Sequence, residues 1–292
     1  MLYSLVSNGR LHAPDQAEPT VPWWSFTKTV LAATALSLVR DGLIGLDDHV
    51  PDEPFTLRQL LRHEAGFADY GELPAYHAAV ANGESAWPVE DMMQRLDGTR
   101  LRYDPGTGWR YSNVGCWRVG RLIERLTALT LDEAVDRRTL APLGLQSVRF
   151  ARTREDMRSS PLGATPDYDP AWVYHGLLIG PLSQAALCLE RLLAGDFLPP
   201  TLIGEMRTAR MSGGPIAGRP WFTAGYGLGV MQGSIDGGIT LCGHTGQGPG
   251  STFAVYRAQI GDASACCAVY ALNGTEGSVE TAAVERLLRA FQ

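Results

Sequence analysis

Apolar residues run without interruption by charge or helix breaker from Val30 to Val39, a pattern that predicts a helix buried on nearly all sides. Pro22 marks its entry, and Arg40-Asp41-Gly42 its exit, with Gly42 placed for a left-handed C-terminal residue. A second helical period, carried by Trp117, Val119, Leu122, Ile123, Leu126 and Leu129, follows the turn Asp104-Pro105-Gly106-Thr107-Gly108. In the last third, Tyr226 to Met231, Gly238 to His244, Ser251 to Ala258 and Ala263 to Leu272 read as strands, and Val279 to Ala290 as a final helix packing on the sheet. Near the start, Leu2 to Leu11 supplies one strand, with Asn8-Gly9 as a turn signal. The expected class is α+β, an antiparallel sheet flanked by helices. An inserted, mainly helical part is expected over 56–204, and a discontinuous α/β part over 1–55 and 205–292. A cleft between the two parts is the expected place for a small-molecule site.

Composition narrows the function. With 292 residues, 45% hydrophobic and 19% charged, the chain is long enough for a large core and too apolar for disorder. A net charge of -6 argues against nucleic-acid binding, which needs a basic face. No apolar run reaches bilayer length, and Met1 to Arg10 does not read as a secretory signal, so the sequence as written predicts a cytoplasmic protein, or an exported one if a leader has been removed. The five cysteines are odd in number and include the adjacent pair Cys266-Cys267, which agrees with a reducing compartment. No Cys/His spacing suits zinc, because His63-Glu64 has Phe67 where a second histidine would stand; neither metal nor cofactor is expected. Gly225, Gly227 and Gly229 lack the strand–turn–helix context of a dinucleotide loop.

One lysine, Lys28, stands among 25 basic residues, the rest being arginine. Lysine is the cation that gives up its proton on burial, whereas guanidinium stays charged. Ser25 and Lys28 lie three residues apart in the first turn of the apolar helix, on one face. A desolvated amine can take the proton of a serine hydroxyl, and the free N–H groups of a first turn favour an oxyanion. Ser25 as a plain helix cap and Lys28 as a surface residue is the competing reading. Tyr111-Ser112-Asn113 precedes the second helix, where Ser or Asn could equally be a cap. His244, at a strand end in Gly243-His244-Thr245-Gly246, could be a satisfied polar residue.

In that order, S-x-x-K, Y-S-N and H-T-G resemble the serine β-lactamase and penicillin-binding-protein superfamily, in its class C-like branch. That branch also holds D-alanyl carboxypeptidases, D-aminopeptidases and esterases. Leu38 to Asp48, Thr56 to Gly66 (TLRQLLRHEAG) and Pro142 to Leu145 (PLGL) resemble further family segments. The resemblance implies Ser25 as acylated nucleophile, Lys28 as the amine that deprotonates it, and Tyr111 as a second base, a phenolate or a phenol sharing its proton with Lys28. It implies Asn113 bonding the substrate amide or the lysine, and His244, Thr245, Gly246 and Gln247 on the substrate side. Backbone N–H groups of Ser25 and Gln247 would form the oxyanion hole. His244 stands where many relatives carry lysine, so carboxylate recognition is expected to be weak or pH-dependent. Only 24 residues precede Ser25, fewer than in relatives, which implies a smaller sheet and an open strand edge, and so room for a homo-oligomer.

The resulting expectation is a serine hydrolase acting through a Ser25 acyl-enzyme on an ester or amide, with a small-molecule or short-peptide substrate. The alternative is a catalytically silent scaffold that kept the fold. Trp221 and Tyr226 are candidates for the acyl pocket, and Pro161 to Pro181, rich in aromatics and carrying His175, for a lid.

Overall fold

The computed structural model describes residues 1–12, 18–161 and 167–292. The strands among the described residues are β1 Leu2–Ser7, β2 Arg10–Leu11, β3 Val21–Pro22, β4 Arg149–Ala151, β5 Leu177–Gly180, β6 Arg210–Gly213, β7 Ala224–Tyr226, β8 Met231–Ser234, β9 Thr240–Gly248, β10 Ser251–Ile260 and β11 Ala263–Leu272. The α-helices among the described residues are α1 Phe26–Arg40, α2 Leu57–Leu61, α3 Pro74–Ala81, α4 Val89–Leu96, α5 Asn113–Thr127, α6 Leu131–Val135, α7 Arg154–Arg158, α8 Leu182–Ala194, α9 Pro200–Arg207 and α10 Glu276–Ala290. The class is α+β, as the sequence pattern predicts.

Eight strands form one antiparallel sheet in the order β2-β1-β11-β10-β9-β8-β7-β6, and β3-β5-β4 form a second, small one. The period-2 geometry of β10 and β11 sends alternate side chains to two separate cores. Phe253, Val255, Cys266, Ala268 and Tyr270 face the core shared with α1 and α8, while Ala254, Tyr256, Cys267 and Val269 face α10. Both faces are therefore dry, which is why these strands read as continuous apolar runs. The same alternation points Cys266 and Cys267 to opposite faces, and all five cysteines are free and buried.

Thirteen of the fifteen residues of α1 are buried, so this helix forms the centre of the molecule rather than its surface. It ends as its sequence predicts: Gly42, at φ +73°, lets its own N–H reach Val39 and that of Leu43 reach Leu38, satisfying carbonyls the helix leaves open.

Two strand expectations are corrected. Leu2 to Leu11 forms two strands rather than one, because Asn8 (φ +47°) and Gly9 (φ +74°) close a hairpin between them. Tyr226 to Met231 is not one strand: Tyr226 ends β7, Met231 opens β8, and Gly227 to Val230 form the turn that joins them. Gly229, at φ +73°, seats that turn on α1, where Thr29 Oγ1 donates to the Gly229 carbonyl at 2.7 Å. A side chain at Gly229 would collide with Ala32, so backbone approach rather than pairing decides this segment.

Candidate active site

Ser25 holds the N-cap position of α1 without a side-chain capping bond, and Lys28 follows one turn later on the same face. Three bonds hold the entry, two to β5 and one to β10. Trp23 N–H donates to Leu178 O of β5 at 2.9 Å, Thr27 Oγ1 accepts from Leu178 N–H at 3.0 Å, and Trp24 Nε1 donates to Ser251 Oγ at 3.1 Å. Trp24 sits at φ +43°, a left-handed backbone that a bulky residue seldom adopts, immediately before the serine. Among the described residues the Ser25 N–H has no hydrogen-bond partner, leaving it available to an oxyanion.

Lys28 Nζ donates to Ser25 Oγ at 3.1 Å, and the Tyr111 hydroxyl donates to the same oxygen at 3.0 Å. Tyr111 reaches it because Ser112, not Asn113, caps α5: Ser112 Oγ accepts from Gly115 N–H at 3.0 Å and donates to Ala68 O at 2.7 Å. Asn113 opens that helix with its side-chain amide nitrogen 2.9 Å from Asp69 Oδ1. The expected Asn113–lysine bond is absent among the described residues; Asp69 claims the donor and leaves the Asn113 carbonyl for the cleft, whose wall it joins.

Strand β9 passes in front of Ser25. Gly246 lies so close that a Cβ there would overlap the Ser25 nitrogen and sit 2.7 Å from Trp24 Cβ. Gln247 is exposed at the mouth. Thr245 lines the cleft, but its hydroxyl turns toward α10, donating to Glu280 Oε1 at 2.5 Å and meeting the Tyr256 hydroxyl at 2.6 Å. Its side chain therefore ties β9 to α10.

Burial governs the charges here. Desolvation pulls Lys28 from 10.5 down to about 8, partly offset by the field of Asp69. It holds His63 and His175 well below the ordinary histidine value, and His244 at about 3, with the Lys28 charge adding to each. Two expectations change. His244 is neutral across the working range, its Nδ1–H donating to Thr245 O at 2.7 Å and its Nε2 accepting from the Tyr226 hydroxyl at 3.0 Å, so it supplies neither a fixed nor a titrating cation. Desolvation also raises Tyr111 well above the usual phenol value, so it stands as a protonated donor to Ser25 and not as a phenolate. It shares no hydrogen bond with Lys28, whose Nζ lies over its ring at 5.1 Å from the centroid.

A cleft of about 520 Å³ opens on one side of Ser25, walled by Trp109, Tyr111, Ile216, Tyr226, Met231 and His244. A smaller chamber of about 190 Å³ opens on the other, beside Lys28, Tyr168 and His175. Arg219 and Glu276 are the charged side chains of the larger wall, and Arg219 is spent on Glu276 (2.7 Å) and on Glu280. Trp221 does not line the cleft; it is buried behind it against Tyr256, with ring centroids 5.2 Å apart. In the expected lid, residues 162–166 lie outside the described residues, and Tyr168, Trp172 and His175 are packed wall, all at most 3% exposed.

Sequence reasoning missed His175 as a neighbour of Lys28, 3.2 Å from Nζ, and Tyr226 as the donor to His244. Each reaches the site through pairing of distant segments. Among the described residues no cluster of metal-binding side chains forms, and no helix is long and apolar enough to cross a membrane.

The Beta-lactamase family model matches residues 6–291. The chain is 32% identical over 189 residues to a lovastatin esterase of Penicillium rubens (54% of this chain, 46% of the relative). It is 25% identical over 263 residues to esterase EstB of Burkholderia gladioli (73% and 66%). It thus spans between about half and two thirds of these relatives' lengths. Among solved structures, a D-stereospecific amidohydrolase from Streptomyces sp. superposes with TM-score 0.78 at 24% identity, covering 98% of this chain and 93% of that one. A D-amino acid amidase from Ochrobactrum anthropi SV3 gives 0.78 at 21% identity (99% and 94%), which shows a shared fold. By a family-model match that runs nearly end to end, the chain belongs to the Beta-lactamase family.

Proposed function

We propose that the protein is a serine hydrolase that forms a Ser25 acyl-enzyme on carboxylic esters or amides that carry no carboxylate near the scissile carbonyl. The observation that carries this reading is the pair of hydrogen bonds onto Ser25 Oγ, from Lys28 at 3.1 Å and from Tyr111 at 3.0 Å, at the floor of an apolar cleft.

Above about pH 8 the Lys28 amine is neutral, and the direction of its bond to Ser25 reverses: the hydroxyl now donates to the lone pair. Ser25 Oγ attacks the carbonyl carbon and its proton passes to Lys28. The negative oxygen settles at the Ser25 N–H and, in this reading, the Gln247 N–H. As the bond to the leaving group breaks, the Lys28 ammonium protonates the departing oxygen or nitrogen and returns to the free amine, while Tyr111 keeps its proton as a hydrogen-bond donor. Water then attacks the ester on Ser25, gives its proton to the amine, and Ser25 recovers one as the acid leaves. Asn113 presents its carbonyl oxygen to a substrate amide N–H.

The charge pattern supports the substrate class. A carboxylate entering the larger cleft finds a neutral His244, an arginine occupied by two glutamates, and no other arginine or lysine on that wall. Relatives named as esterases and amidases fit the reading. The chambers fit a small molecule or short peptide.

Labelling with a fluorophosphonate, read by peptide mass spectrometry, tests it. An adduct on Ser25, and loss of nitrophenyl-ester turnover in Ser25→Ala, are expected. A folded protein that takes no label and turns over no ester or D-aminoacyl anilide is the silent scaffold instead.

A further inference from the structure

We infer that His175 is a positioning residue for the Lys28 amine: its Nε2 holds one amine N–H, so that the nitrogen lone pair is directed at the Ser25 hydroxyl. This rests on the serine-hydrolase reading above and adds to it a residue outside the S-x-x-K, Y-S-N and H-T-G triplets.

His175 is brought to Lys28 by a built turn. Gly176 adopts φ +89°, and its N–H donates to Val173 O at 2.6 Å; a Cβ at Gly176 would run into the Phe150 ring, 2.8 Å from Cδ1. The strand that follows is fixed to the first turn of α1 by the Trp23 and Thr27 bonds to Leu178. His175 is 2% exposed, with Nε2 3.2 Å from Lys28 Nζ.

An ammonium has only donors, so Nε2 must accept and the ring proton must sit on Nδ1. That Nδ1 is buried with no partner among the described residues. The ring is thus not held by a bond of its own on the far side, and the contact it does make is to the amine. Once deprotonated, the Lys28 nitrogen has two N–H bonds and one lone pair. Ser25 and His175 are the hydrogen-bond partners of Nζ among the described residues. With an N–H given to His175, the lone pair is free to face Ser25, the partner that has a proton to lose. The other groups around the amine are Tyr111 and Cys116 of the α5 region, Asp69, His63, and His244 of β9. Burial pushes the Cys116 thiol to about 12, so it competes neither as anion nor as base.

Loss of the acceptor acts in two ways that a purely structural defect would not combine. The ammonium loses a hydrogen bond in a dry site, so the pH at which activity is half-lost moves down. The free amine loses its orientation, so the plateau rate falls while substrate binding does not.

The experiment compares wild type, His175→Phe and His175→Gln in nitrophenyl-ester hydrolysis across pH 6 to 10, after fluorophosphonate labelling of wild-type Ser25 has been established. Expected for His175→Phe are a kcat lowered about tenfold or more, KM within about twofold, and an acid limb displaced to lower pH. His175→Gln, whose carbonyl can accept the same N–H, is expected to recover most of both. If His175→Phe fails to fold, His175→Leu is read in its place by the same criteria. A folded Phe or Leu variant with wild-type kcat and an unmoved acid limb overturns the inference, as does a Gln variant no better than Phe. Absence of wild-type label instead overturns the serine-hydrolase reading itself.

Discussion

Gly246 of β9 lies against the backbone nitrogen of Ser25 so closely that no side chain fits between them. This contact sets the distance between the helix bearing the nucleophile and the strand across the oxyanion site. Gly246→Ala must therefore push β9 away from α1. The expected result is a loss of at least ~100-fold in kcat/KM, the scale of removing an oxyanion donor. The accompanying destabilisation is about 1–3 kcal/mol, typical of overpacking. Ester kinetics beside thermal unfolding check it; an alanine variant with wild-type turnover would show that the strand does not form that wall.

Lys28 gives the pH dependence its sign. The base must be neutral, so kcat/KM should fall as pH drops through about 8, the value to which burial lowers this amine. No second step is expected near pH 6.5, because burial keeps His63, His175 and His244 uncharged there. A pH–rate profile from 5 to 10 decides; an inflection near 6.5 that vanishes in His244→Gln would refute the neutral-histidine assignment.

The same amine costs stability. The folded value, about 8, is below the unfolded 10.5, so the unfolded chain binds more protons between them and stability rises with pH across that window. Below pH 8 the buried ammonium costs about 3 kcal/mol relative to a neutral side chain. Lys28→Met is expected to abolish turnover and yet melt higher than wild type at pH 6–7, with the gain shrinking toward pH 10.5. Equal melting temperatures at all pH values would mean that Lys28 is hydrated.

How much of this could be read from the chain alone depends on the range of the interactions involved. Ser25 and Lys28 were legible because three residues within one helical turn fix their relation, and the single lysine drew notice to it. The final strands were legible because β10 and β11 bury both faces. His175 was not, since its place beside Lys28 depends on Val21–Pro22 pairing with Leu177–Gly180, far away in sequence. Tyr226 to Met231 was misread because glycines that permit a turn against α1 look, in sequence, like part of an alternating strand. The charge state of Tyr111 and His244 was invisible as well: it is set by desolvation from all sides.

Glu280 is 0% exposed and accepts from Arg219, Thr245 and Tyr256. Removing the guanidinium leaves a buried carboxylate without its counter-charge. Arg219→Met is therefore expected to destabilise by about 3–5 kcal/mol, and Arg219→Met/Glu280→Gln to recover much of it. Denaturant unfolding of the two variants measures this; a double variant no more stable than the single one would deny the pairing its role.

The same cluster shapes substrate choice. In the larger cleft Glu276 stands at the wall with its carboxylate on Arg219, so a substrate carboxylate meets net negative charge from Glu276 and Glu280 around one arginine. A neutral nitrophenyl ester should therefore be cleaved with at least ~10-fold higher kcat/KM than its analogue bearing a carboxylate on the acyl chain. Because part of that repulsion crosses solvent, the ratio should shrink as ionic strength rises from 0.02 to 0.5 M. Glu276→Gln removes one charge and frees a guanidinium N–H, so the ratio should move toward the carboxylate substrate by roughly 3–10-fold. Kinetics of the substrate pair in both proteins at both salt levels provide the measurement. A wild-type preference for the carboxylate, or a ratio indifferent to Glu276→Gln, would mean that the acyl group does not enter the cleft walled by Arg219 and Tyr226.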